Sequence, residues 1–92
     1  MPQFVIEREM AGVGSLSAEE LQAMAKKTRE VVNDPATNVQ WLYSFVTDDK
    51  TYCVYIAQDE EVLRQRSERA GFPINRVSRV TSVLDGAEKT PA

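Results

Sequence analysis

From Gln3 to Glu9, Phe4 and Ile6 alternate with Val5 and Glu7, a period of two that predicts a strand with unlike faces. Gly12 and Gly14 interrupt that pattern. Ser17, followed by Glu20, forms a capping box that opens a helix. Behind it Leu21, Met24, Ala25, Thr28, Val31 and Val32 recur at helical spacing and make one apolar stripe, while Lys26, Lys27, Arg29 and Glu30 mostly face water. Asn33-Asp34-Pro35 is expected to end the helix, because Pro35 disfavours helical geometry at the residue before it. Val39–Thr47 and Thr51–Ala57 are rich in β-branched and aromatic residues and read as two strands joined by Asp48-Asp49-Lys50. Asp59 caps a second helix, with Glu60 and Glu61 in its first turn and Val62, Leu63 and Ala70 facing inward. Gly71 and Pro73 stop it, and Arg76–Leu84 reads as the last strand.

This order, β-α-β-β-α-β, predicts an α+β domain of the ferredoxin-like class: an antiparallel four-stranded sheet with two helices on one face. The term describes topology alone, since one cysteine cannot hold an iron–sulfur cluster. Residues 1–84 are expected to form a single domain and residues 85–92 a flexible tail.

Alternation along the strands sorts the sheet into two faces. Phe4, Ile6, Leu42, Val46, Tyr52, Val54, Ile56, Val80 and Leu84 fall on one, which is expected beneath the helices. Val5, Glu7, Glu9, Trp41, Tyr43, Phe45, Cys53, Tyr55, Val77, Arg79, Thr81 and Val83 fall on the other. An open face bearing that many aromatics is too apolar for most monomers to leave in water, which predicts a two-fold homodimer. Between two such faces Glu7, Tyr43, Cys53 and Arg79 could line a cavity. Equally, Glu7 and Arg79 on neighbouring strands could form an ion pair that seals the interface.

Composition narrows the possible partners. The chain has 92 residues, 42% of them apolar and 27% charged, with a net charge of −3. A domain of this size buries roughly 60–65% of its unfolded surface. The negative balance argues against a nucleic-acid partner, and no stretch is long and apolar enough to span a bilayer. With Cys53 alone, no internal disulfide forms, so a reducing compartment and a cytoplasmic location are expected.

Motifs that suggest chemistry have plainer explanations. Gly12-Val13-Gly14 lacks the third glycine of a dinucleotide fingerprint, and Glu19 and Glu20 would repel a phosphate there. Arg64, Arg66 and Arg69 are interleaved with Glu60, Glu61 and Glu68 as a solvated helix face. Asp48 and Asp49 suit a turn and lack the further oxygens of a calcium loop. Without histidine, no Cys-His or Ser-His nucleophile exists, and acid–base work would fall to Glu7, Glu9 or a tyrosine. Nothing in these residues supports an enzyme.

The run Gln40-Trp41-Leu42-Tyr43-Ser44-Phe45-Val46-Thr47-Asp48-Asp49-Lys50-Thr51-Tyr52-Cys53-Val54-Tyr55 resembles the signature of a small family of nickel-responsive proteins. Ile6-Glu7-Arg8, Asp59-Glu60-Glu61 and Arg69-Ala70-Gly71-Phe72-Pro73 agree with it. The resemblance implies a ferredoxin-like homodimer that takes nickel or another divalent transition metal, with histidines at the positions held here by Tyr43 and Arg66. The metal-ligand candidates that remain are Glu7, Asp48, Asp49 and Cys53. The alternative from another class is a small-molecule binding protein, its ligand held between two open sheet faces by Trp41, Tyr43 and Tyr55.

Overall fold

A computed structural model describes residues 1–87. Strand β1 (Gln3–Glu9) runs into a 3-10 turn at Val13–Ser15 and then helix α1 (Ala18–Lys27). Ser17 and Glu20 close the expected capping box on both sides, Ser17 Oγ accepting from Glu20 N at 3.1 Å and Glu20 Oε1 from Ser17 N at 3.1 Å. The helix widens into a π turn over Thr28–Val32, followed by a 3-10 turn at Pro35–Thr37. Strands β2 (Gln40–Val46) and β3 (Lys50–Ile56), helix α2 (Glu60–Ala70) and strand β4 (Arg76–Arg79) complete the order. Asp59 Oδ1 caps α2 at Val62 N, and Gly71 ends it in the left-handed region at φ 74°.

The strands pair antiparallel in the order β2-β3-β1-β4, the arrangement expected of a ferredoxin-like sheet. Both helices lie on one face. Their core joins Phe4 and Ile6 of β1, Cys53 and Tyr55 of β3, Val32, Val39, Ala57, and Leu63 and Ala70 of α2. The other face is open.

Three register features correct the expected sorting of side chains. Antiparallel pairing sets Phe4 opposite Tyr55 and Ile6 opposite Cys53, so Cys53 and Tyr55 lie under the helices, while Tyr52 and Val54 join Val5 and Glu7 on the open face. In β2 a bulge at Leu42 shifts the register between Trp41 and Tyr43. Trp41, opposite Tyr55, therefore packs on the helix side, and Tyr43 and Phe45 take the open side. A bulge adds one residue and resets the alternation beyond it. Strand β4 ends at Arg79, not at Leu84, because its partner β1 begins at Gln3, whose carbonyl takes the last bond from Val80 N at 2.8 Å. Val77, opposite Ile6, packs on the core, and Arg79 stands opposite Phe4. Residues 81–87 are exposed and unpaired, and residues 88–92 of the expected tail lie outside the described residues.

Candidate functional site

Helix α1 covers its part of the sheet incompletely. Leu21, Met24 and Ala25 are only half-buried, and α1 buries no side chain fully. The gap is a cavity of about 260 Å³ between α1 and the sheet, walled by Met10, Leu21, Met24, Trp41, Cys53 and Phe72 among others.

Arg8 lies at this cavity. It follows Phe4 and Ile6 in the period of two, so the strand carries a guanidinium under the helices, where it is 2% exposed. Nη1 donates to Pro73 O at 2.9 Å, and Nη2 donates to Ser67 Oγ at 3.0 Å and Tyr55 Oη at 3.3 Å. The Phe72 ring lies 5.3 Å from its guanidinium carbon, and Lys27 Nζ is also 5.3 Å from that ring. No carboxylate among the described residues pairs with Arg8. Beside it, burial pushes the Tyr55 hydroxyl up to about 12, outweighing the Arg8 charge. Arg8 is absent from the sequence-based candidates, although the alternation that placed Phe4 and Ile6 inward extends to it.

On the open face Tyr43 and Phe45 are 50% and 60% exposed, their rings edge to face with centroids 5.4 Å apart. They border a groove of about 520 Å³ with Val5, Tyr52, Val54 and Val80. Glu7 is on this face too, but its ion-pair partner is Lys50 at 3.1 Å, not Arg79. The Lys50 bond holds the Glu7 carboxyl below its ordinary value and the Lys50 ammonium above its own. In β4 the residue opposite Glu7 is Arg76, which is why the expected Glu7–Arg79 pair does not form. The predicted cavity residues are thus divided by the sheet: Glu7 and Tyr43 are on the open side, Trp41, Cys53 and Tyr55 under α1, and Arg79 at the exposed edge.

The metal-ligand candidates are also dispersed. Asp49 Oδ1 accepts from Gly12 N at 2.9 Å, and the Asp48 carbonyl accepts from Gly14 N at 2.9 Å, so both residues fasten the β2–β3 turn to the loop after β1. Cys53 is buried, its thiol 3.6 Å from Thr51 Oγ1. Arg66 of α2 points to the end of the π turn, donating to the carbonyls of Val31, Val32 and Asn33, with Asp34 3.8 Å away. It caps carbonyls that a helix end leaves unpaired.

The model of the family described as "Nickel responsive protein SCO4226-like" matches residues 4–80. The chain belongs to this family. Among solved structures, the crystal structure of SCO4226 from Streptomyces coelicolor A3(2) is similar in fold, with a TM-score of 0.75 at 18% identity, covering 89% of this chain and 99% of that one. No curated protein matches the chain.

Membership in this family raises nickel directly, and the residues present do not fit a nickel site within one chain. Among the described residues no three His, Cys, Asp or Glu side chains converge. Imidazole, the side chain best suited to nickel, is absent from the sequence. Tyr43 and Arg66 lie on opposite sides of the sheet, so in one chain these positions cannot meet at a single ion. No helix among the described residues is long and apolar enough to cross a membrane.

Proposed function

We propose that the chain works as a small binding protein that pairs with a second copy through its open sheet face. The observation that carries this is the open face itself: exposed Tyr43 and Phe45, half-buried Val5 and Tyr52 and, at their base, buried Val54 form one apolar surface that neither helix covers. Exposed Val83 and Leu84 extend it along one border. A patch of this kind marks an interface, and two sheets laid face to face exclude water from both copies at once. Sedimentation velocity at micromolar concentration is expected to give a dimer, and Phe45→Glu to give a monomer with unchanged circular dichroism. A wild-type monomer throughout that range, or a variant that remains dimeric, overturns the reading.

Transition-metal binding is a second reading, favoured by the family's description as nickel responsive. The carboxylates here are engaged in a turn and an ion pair, and the thiol is buried, so a cation would find no preformed set of donors in one chain. Titration calorimetry of tag-free protein is expected to show nickel binding that is weak and non-stoichiometric. Tight binding at a fixed ratio would mean that donors assemble between subunits, and Cys53→Ser would then tell whether sulfur is among them.

A further inference from the structure

We propose that the cavity between α1 and the sheet binds a small monocarboxylate with an apolar body, its carboxylate received by Arg8. The argument begins with charge. A guanidinium withdrawn from water needs compensation, by a counter-ion or by hydrogen bonds to every donor. Arg8 is 2% exposed and has no carboxylate partner among the described residues. Of its five N–H donors, three are engaged by neutral oxygens, which leaves Nε–H and one hydrogen of Nη1 without a partner among the described residues.

Tyr55 backs Arg8 as a neutral acceptor and, fully buried, has no surface of its own in the cavity. Its hydroxyl accepts from Arg8 and donates to no atom of the described residues. Being buried, it also keeps its proton through the neutral range. A carboxylate supplies the missing counter-charge and accepts from Nε–H in a charge-assisted hydrogen bond.

The walls favour an acid with an apolar body. Among the described residues no Asp or Glu lines the cavity, although the chain as a whole is acidic, so none of them repels an anion there. Met10, Leu21, Met24, Trp41 and Phe72 offer flexible thioether and aromatic surface, which adapts to varied shapes. Lys27, over the Phe72 ring, adds a second positive charge close by. At about 30 Å³ per water molecule in the liquid, a space of about 260 Å³ suits an acid the size of benzoate or hexanoate. This site is across the sheet from the proposed dimer face, so the two proposals fail independently.

The test uses intact, tag-free protein with benzoate, phenylacetate and hexanoate as probes, each compared with its uncharged amide. Trp41, the only tryptophan and part of the cavity wall, reports occupancy by fluorescence. The acids are expected to change its emission saturably and to raise the melting temperature, while the amides bind at least about tenfold more weakly, as the loss of a charge-assisted hydrogen bond implies. Arg8→Met is expected to erase the preference for acid over amide. Should that variant fail to fold, Ala25→Phe fills the cavity from α1 with Arg8 in place and is expected to abolish binding of every probe. Equal responses to acids and amides, no response to any acid, or acid binding that survives Ala25→Phe overturns the proposal.

Discussion

Gly14→Ala is expected to lower the unfolding free energy by about 2–3 kcal/mol, a large share of what a domain of this size has to lose, roughly 5–14 kcal/mol. The cause is a close approach of two backbones. Gly14 N donates to Asp48 O at 2.9 Å, drawing the loop after β1 against the β2–β3 turn. A Cβ placed on Gly14 would lie 2.7 Å from both Asp48 Cα and Thr47 O and 3.2 Å from Asp48 N. These are backbone atoms and cannot rotate away, so the loop or the turn must move and release the bond. Gly12 offers an internal control. It has no atom within 4 Å of such a Cβ, but its φ of 75° is left-handed, so alanine there meets conformational strain alone, about 1–2 kcal/mol. Urea unfolding followed by Trp41 fluorescence ranks the two. A Gly14→Ala loss no larger than that of Gly12→Ala would show that the contact yields at little cost.

A second large effect is expected at alkaline pH. Burial beneath the helices raises the Tyr55 hydroxyl to about 12, opposed by the Arg8 charge and reinforced by Cys53 beside it. In the unfolded chain a tyrosine titrates near pH 10. Below pH 10 the hydroxyl is neutral in both states, and the full native stability is present. As pH rises from about 10 towards 12, the unfolded chain gives up this proton while the folded chain keeps it, so stability falls. The loss approaches about 2–3 kcal/mol at the upper end of that window. Tyr55→Phe has no proton to lose and is expected to show a shallower decline there than the wild type. Parallel declines would mean that Tyr55 titrates alike in both states and that other groups drive alkaline unfolding.

How far the residues alone specify the candidate site depends on how polar their neighbours are. In β1, Glu7 and Glu9 alternate with Phe4 and Ile6, so one phase has a clear claim on the core. The same phase assigns Arg8 inward, against the usual preference of a charged side chain for water. In β3 the choice is undetermined by pattern. Tyr52, Val54 and Ile56 form one phase and Cys53 and Tyr55 the other, both apolar, as befits a strand with neighbours on both sides. Only hydrogen-bonded pairing with β1 selects Cys53 and Tyr55 for the helix side. In β2 the bulge at Leu42 changes phase between two aromatic residues, and no local residue announces it.

The element order, the capping box at Ser17, the caps at Asp59 and Gly71, the ferredoxin-like class and the family are all legible in the residues. These follow from local chemistry, because a cap, a turn or a helical stripe is decided by residues a few positions apart. Three-dimensional packing settled which aromatics face the helices, that Glu7 meets Lys50 and not Arg79, and that Arg66 caps the end of the π turn. It also set Arg8 beside Tyr55 and Ser67, residues far apart in the chain, at the margin of a cavity that exists because α1 carries too little bulk to fill it. Register and packing are collective properties: each depends on where a partner strand begins and how closely a helix can approach, which no single segment encodes.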